Sequence, residues 1–503
     1  MNYAEQGFLL LPRNTPNRMG IFATKEEVGA LRQASSLTYA LDIGTRTIAG
    51  IVMERQEDIY RILAGKIAEQ EPRAMQDGQI HDITRVARTI RRVTVDLERK
   101  IGSLPHQVAV AAAGRTLRTA IGSISHPISP VESIDRLTVE ALEMQAVLRA
   151  RETLKSNSGA DFHSSSNWAS EYIFVAYSPM THYLDEEPIA NPVGHRGARI
   201  GVDVIATFLP RIVIDSLSAS LTAAGLEIGS LTLEPIAAIQ AVIPPTMRLL
   251  NLALVDVGAG TSDTALTRNG VVFGYGMVSV AGDEITRALC QHYLLDFREG
   301  ERLKLQYQRK ERLGVRNVLG QRVRPQPEEV AQAIKLAVAV LSQAVGEEIL
   351  RLAGSAPQAV ICIGGGSQTP HFPEALAQCL GLPVDRVAVR DRDAITNVEG
   401  FRDILSGPDS ITPIAIAMNG STATSFFVPV TVNGRTIRLL SISEPTVREA
   451  LLAAGIGLKE IRGKPGAALT LTVNGEVEVV PGSMGKSAIM RMDGEVVTLD
   501  API

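Results

Sequence analysis

The chain has 503 residues, more than one compact core accommodates, so two to four domains are expected. Aromatic residues are only 4% and the formal net charge is -4, which argues against a stacking platform for single-stranded nucleic acid and against global attraction to nucleic acid or anionic lipid. The three cysteines, Cys290, Cys362 and Cys379, are far apart and form no CxxC pair, so they read as buried thiols in a reducing compartment rather than a zinc site or a disulfide framework.

In chain order, residues 1–36 read as a loosely ordered extension with no signal peptide. No uncharged apolar run approaches the ~20 residues of a spanning helix, so an intracellular protein is expected. Leu37 to Gly65 reads as strand, turn, strand, and Ile83 to Lys100 has helical spacing with a basic outer face. Val108 to Ala113 is a short apolar strand. Residues 115–210 look inserted, with a long amphipathic helix over Ile134 to Leu154, a polar loop over Ser156 to Ser166, and a strand over Ile200 to Phe208. Arg211 to Ala224 reads as a helix closed by Gly225. A second strand, turn, strand begins at Leu249, with Asn269-Gly270 as a hairpin turn. Helices follow near 283–294 and 327–353, separated by a basic stretch, Arg309 to Arg324. Ala359 to Ile363 is a buried strand running into three glycines. The tail from Ser421, rich in Val, Thr and Gly, reads as a separate small α+β domain with one helix near 445–455.

The strongest feature is an internal echo. Asp42-Ile43-Gly44-Thr45 at the end of one strand returns as Asp256-Val257-Gly258-Ala259-Gly260-Thr261 at the end of another. Glycines let backbone amides approach phosphate oxygens, and Thr45, Thr47, Thr261 and Ser262 add hydroxyls. An aspartate at a strand end beside phosphate suits a hydrated Mg²⁺, so Asp42 and Asp256 are candidate metal partners through water. One such turn alone is most often an ordinary turn. Two copies at domain-sized separation point to facing hairpins that clamp a nucleotide's phosphates. Gly364, Gly365, Gly366 and Ser367, after a buried strand, form a third loop on which a ring or ribose can lie.

Taken together, these motifs resemble the FtsA-like bacterial cell-division proteins of the actin/Hsp70-like ATPase superfamily over about residues 38–420. The resemblance implies ATP with Mg²⁺, with Gly282, Asp283, Glu301 and Lys304 at positions that contact ribose and adenine. Met75 to Ile80 followed by a helix, Val108 to Arg115, and Asn191 to Gly194 leading into Ala198 to Thr207 resemble segments particular to that family. The implied fold is α/β: a two-lobed actin-like core of duplicated ribonuclease H-like domains, with an FtsA-type inserted subdomain. The expected boundaries are 1–36 for the extension, 37–114 for the first lobe, 115–210 for the insertion, 211–420 for the second lobe and 421–503 for the tail. The tail resembles a β-grasp, ThiS-like domain without the di-glycine end of sulfur carriers, and reads as an interaction module.

The expected function is a nucleotide-dependent scaffold or adaptor in septum assembly, with self-association and the tubulin-like division GTPase as partners. No amphipathic anchor is seen, and membrane contact at the inner face is left open. A PilM-like pilus-assembly protein shares the same core. A sugar-kinase-like phosphotransferase lacks its sugar pocket, and an Hsp70-like chaperone needs more tail than is present. No acid is found around Ser178 to Tyr183 to position an attacking water, and His182 there reads as structural, so slow ATP turnover is expected. Gly482 to Ser487 lacks the first glycine of a phosphate-binding P-loop and reads as a turn.

Overall fold

The computed structural model describes residues 37–112, 117–157, 172–244, 246–421 and 427–440, with parts of 446–503. The extension before residue 37, the polar loop over 158–171 and the stretch 481–487 lie outside the described residues.

The chain opens with three antiparallel strands, β1 (Leu37–Ile43), β2 (Thr47–Gln56) and β3 (Ile59–Glu69). A two-residue pair, β4 (Met75–Gln76) and β5 (Gln79–Ile80), leads into helix α1 (Ile83–Ile101). The Asp82 side chain caps α1 by accepting from the Arg85 amide at 3.0 Å. Val86, Ile90, Val93 and Leu97, at helical spacing, turn one face of α1 into the core. Strand β6 (Gln107–Ala112) then lies parallel to β1.

The insertion contains β7 (Arg118–Pro127), helix α2 (Arg136–Asn157), β8 (Tyr172–Leu184), β9 (Glu187–Ile189) and β10 (Arg199–Pro210). Its strands pair in the order β7-β10-β8-β9, and α2 covers one face through Ala146, Val147 and Ala150. The insertion also touches the second half of the molecule, where the Ser178 and Tyr275 hydroxyls share a hydrogen bond of 2.9 Å.

Helix α3 (Arg211–Ala224) ends at Gly225, φ 86°, and β11 (Glu227–Leu233) pairs parallel to β6. Helix α4 (Glu234–Val242) starts directly from β11. A second set of three antiparallel strands follows: β12 (Leu252–Val257), β13 (Ser262–Arg268) and β14 (Val271–Val278), with the β13–β14 turn at Asn269 (φ 53°) and Gly270 (φ 88°). Then come α5 (Gly282–Tyr293), α6 (Phe297–Gln308), a small hairpin of β15 (Val315–Arg316) and β16 (Arg322–Val323), and the long α7 (Pro327–Ala353). Strand β17 (Ala359–Ile363), helix α8 (Phe372–Leu380) and β18 (Val387–Val389) complete that half. Strand β19 (Val398–Gly400) and helix α9 (Ile411–Gly420) return to the first half.

The two large sheets have the same plan. Three antiparallel strands are followed by two parallel ones, giving β3-β2-β1-β6-β11 in the first lobe and β14-β13-β12-β17-β18 in the second. Strand β19 adds to the free edge of β3. Helices α4 and α9 pack on one another between the sheets; α9 is apolar all round and buried from Ile411 to Ala417.

The topology corrects one boundary. Residues 211–420 were expected to form the second lobe, yet β11 and β19 belong to the first sheet, and α3 and α9 pack on its elements. The first lobe is therefore not one contiguous block: its sheet takes β11 and β19 from beyond the insertion. The basic stretch, Arg309 to Arg324, carries the β15–β16 hairpin, and α6 before it was not anticipated. Of the cysteines only Cys362 is buried; Cys290 and Cys379 are half-buried, and none of the three is in a disulfide.

In the tail the described residues form three separate hairpins: β20 (Phe427–Val432) with β21 (Arg435–Leu440), β22 (Leu469–Val473) with β23 (Glu476–Val480), and β24 (Met490–Met492) with β25 (Glu495–Val497). Asn433-Gly434 and Asp493-Gly494, all at positive φ, make two of the turns. Residues 445–455, expected to hold a helix, are described only in part. Among the described residues no helix is long and apolar enough to cross a membrane.

Candidate functional site

The echo in sequence is an echo in space. The Gly44 amide donates to the Thr47 carbonyl at 3.0 Å, and the Gly258 amide donates to the Thr261 carbonyl at 2.9 Å. The two β-hairpins therefore close with the same four-residue turn. In that alignment Gly44 matches Gly258, Thr47 matches Thr261, and Arg46 stands where the second hairpin has Gly260. The hairpins meet tip to tip. A Cβ placed on Gly260 would lie 2.8 Å from Thr45 Oγ1 and 3.2 Å from the Asp77 Cα, so no side chain fits there. The Gly78 amide donates to Thr45 Oγ1 at 3.0 Å, which leaves the Thr45 hydroxyl hydrogen free to donate elsewhere.

Four carboxylates gather where the strands end. Asp256 on β12 lies directly opposite Asp263 on β13, and residues paired this way share one face of a sheet. Asp42 on β1 joins them from the first lobe, and Glu234 joins them from the start of α4. Burial raises the pKa of Asp42 to about 7, with the charge of Asp256 adding to it. Burial likewise raises Asp256 to about 6, against the Thr412 hydroxyl that donates to it. Asp263 rises to about 8 through burial and then the charge of Asp256. Glu234 is pushed well above the ordinary carboxylate range by burial, then by Asp263, Asp42 and Asp256. Among the described residues no lysine or arginine contributes to any of these four shifts. Like charges this close resist joint ionisation unless a cation enters.

The third loop lies against the second hairpin. Gly364 has φ 82°, and a Cβ on it would fall 2.2 Å from Asp256 Oδ1, so only glycine brings β17 this close. The Gly364 amide donates to the Pro408 carbonyl at 3.0 Å. A Cβ on Gly366 would lie 2.7 Å from the Gly258 carbonyl, whereas Gly365 has open space, its nearest neighbour being Asp409 at 3.7 Å. Gly282 opens α5 here, donating to the Gly258 carbonyl at 3.1 Å, and the Asp283 amide donates to the Ala259 carbonyl at 2.8 Å.

Beside that loop Lys304 on α6 pairs with Glu301 at 2.7 Å and donates to the Gly282 carbonyl at 3.1 Å. The Thr286 hydroxyl donates to Glu301 at 2.6 Å. Burial lowers the pKa of Lys304, which the Glu301 charge opposes. Burial works to raise Glu301, but Lys304 and Arg46 together hold it below its usual value. Asp283 is raised by burial, against Arg46 and Lys304. Arg46 reaches across from the first hairpin, bonding to Asp283 and, at 2.7 Å, to Glu301.

The structure thus brings together Asp42, Gly44, Thr45 and Thr47 with Asp256, Gly258, Gly260, Thr261, Gly282, Asp283, Glu301, Lys304 and Gly364 to Gly366. Two serine hydroxyls among the candidate site residues are turned to their own loops. The Ser262 hydroxyl is fully buried and donates to the Val280 carbonyl at 2.7 Å. The Ser367 hydroxyl, also buried, donates to the Gly364 carbonyl at 2.7 Å. Both hold the backbone of their loops. His182 sits in the insertion, its Nε2 at 2.8 Å from Glu143, away from the carboxylates.

Sequence reasoning missed Glu234, Thr412 and Arg46 as members of this site. Glu234 carried a signal: Glu-Pro at the start of an apolar helix, directly after a strand. Strand β8 carries no acid near Ser178, whereas Glu234 lies among the buried carboxylates from α4.

A nucleotide with Mg²⁺ is the group the fold implies, and the residues fit it. The hairpin tips meet at Thr45 and Gly260, and among the described residues no lysine or arginine offsets the four carboxylates. Among the described residues no three His, Cys, Asp or Glu side chains are arranged to hold a metal directly.

Two sheets of one plan, facing hairpins of one turn and a cleft between them define an actin-like, two-lobed protein. Within that class the chain is FtsA-like. Residues 253–436 match the family model described as Cell division protein FtsA. FtsA of Pseudomonas aeruginosa is 22% identical over 422 residues, which is 80% of this chain and 93% of that protein. FtsA of Escherichia coli K12 is 24% identical over 405 residues, covering 76% and 90%. Among solved structures, a chain of the PilM–PilN type IV pilus biogenesis complex superposes with TM-score 0.55 at 16% identity, covering 77% of this chain and 99% of that one. That likeness is one of fold.

Proposed function

We propose that the cleft binds ATP with Mg²⁺ and that the chain acts as a nucleotide-dependent scaffold in bacterial cell division. The observation that carries this reading is the pair of matched hairpin turns converging on four buried carboxylates whose raised pKa values trace to burial and to one another. Thr45, Gly44 and the second hairpin's Gly258 to Thr261 would hold the phosphates. Asp42 and Asp256 would meet the ion's water shell. Glu301, Lys304 and the Gly364 to Gly366 loop would take the nucleoside. Bound Mg²⁺ supplies the charge that lets all four carboxylates ionise. Glu234, at the start of α4, is proposed as the acid that holds the attacking water.

The proposed partners follow from the FtsA relatives: further copies of this chain and the tubulin-like division GTPase. The tail, as a β-grasp-like module, is proposed as a further contact surface. Pelleting of the purified protein with ATP, with ADP and without nucleotide tests the scaffold. ATP-dependent pelleting that Asp256→Ala abolishes is the expected result. ATP binding without pelleting under any condition would instead support a monomeric switch of the PilM kind. Absence of ATP binding would overturn the site itself.

A further inference from the structure

Arg46 is not needed for its turn. The second hairpin closes the same turn with Gly260 at the matching position. The arginine instead crosses the cleft. Its guanidinium bonds to Asp283 on α5 and Glu301 on α6, and it lies over the Phe297 ring at 4.9 Å from the centroid. All three partners belong to the second lobe, while Arg46 belongs to the first. The side chains of Arg46, Asp283 and Glu301 are 24%, 16% and 19% exposed, so water and salt screen these pairs less than they would surface pairs. A planar guanidinium satisfies two carboxylates at once, which a lysine ammonium does with poorer geometry.

We propose that Arg46 is a latch across the cleft that sets how fast nucleotide enters and leaves, an inference that rests on the nucleotide reading above. Asp283 and Glu301 stand on the nucleoside side of the site, next to Gly282 and Lys304. The bond from Arg46 ties that side to the phosphate hairpin of the opposite lobe. Beneath it the tips already touch through Thr45 and Gly260. Passage of a nucleotide therefore requires Arg46 to leave its two carboxylates. Removing it leaves Glu301 paired with Lys304 and takes from Asp283 its ion pair with Arg46.

The test is stopped-flow binding of a fluorescent ATP analogue with Mg²⁺ to the wild-type protein, Arg46→Ala and Arg46→Lys. Loss of two charge-assisted bonds raises the association and dissociation rates of Arg46→Ala by about tenfold each, leaving Kd within about threefold. Arg46→Lys falls between wild type and alanine, and it carries the test alone should the alanine variant not fold. Unchanged rates in a folded variant would overturn the latch while the nucleotide reading stands. A faster release with unchanged association would also overturn it, making Arg46 a direct contact of the ligand. No binding by the wild-type protein would remove the nucleotide reading, and the latch with it.

Discussion

The two β-hairpins at the cleft share a turn but differ in what surrounds it. The first places Asp42 opposite Ala49 and carries Arg46 at its tip; the second places Asp256 opposite Asp263 and carries Gly260. The shared part is backbone: one amide-to-carbonyl bond closing each turn. The differing part is charge. Duplication has fixed the geometry twice, and divergence has then given one lobe the reaching cation and the other the paired acids.

The sharpest way to break this comparison is to remove its asymmetry at the tips. Gly260→Val puts a branched side chain where even a Cβ meets Thr45 and Asp77. Holding the tips apart by that much should weaken Mg-ATP affinity by roughly 100-fold, a loss measurable by calorimetry. Retained affinity would show that the tips need not close on the ligand.

The paired acids give a second test. Asp256 and Asp263 have folded values of about 6 and about 8, above the usual 3.8. Their contribution to stability is therefore full below about pH 4 and is lost as the pH rises through 6 to 8. Without Mg²⁺ the melting temperature should fall across that window. Asp263→Asn removes one of the opposed charges and should stabilise the metal-free protein at pH 8 by on the order of 2 kcal/mol. A melting temperature flat with pH would mean that the carboxylates are relieved in some other way.

The smallest effect is expected at the outer turns. The second lobe uses Asn269-Gly270 between β13 and β14, whereas the first lobe has Glu57 at φ 56° between β2 and β3. A left-handed glutamate is strained, so Glu57→Gly should stabilise the protein by about 0.5 kcal/mol in denaturant titration. Destabilisation would mean that Glu57 makes a contact that outweighs the strain.

Both hairpins were legible in the sequence because everything that makes them lies within a few residues: apolar strand, aspartate, glycine, turn. The helices Arg211–Ala224 and Pro327–Ala353 were legible for the same reason, with a terminating glycine and a continuous apolar face. Helix α6 was not, because only Gly300 and Leu303 of its twelve residues are buried and its period is faint. Helix α9 was obscured by Pro413, which sits harmlessly in its first turn. The membership of Glu234 and Thr412 in the site depends on which strand lies beside which, and local pattern does not encode that. Arg46 was passed over because a tip residue beside a conspicuous glycine turn reads as filler until the facing lobe is in view.

Helix α9 has one more consequence. Its second residue, Thr412, holds Asp256, and its last residue, Gly420, is where the chain departs toward the C-terminal hairpins. Ten helical residues make a rod about 15 Å long. Buried along most of its length against α4, that rod has little freedom to bend. A change in how Thr412 sits against its aspartate is thus passed on as tilt rather than dissipated. The root of the tail is in effect the far end of a pointer whose near end rests in the cleft.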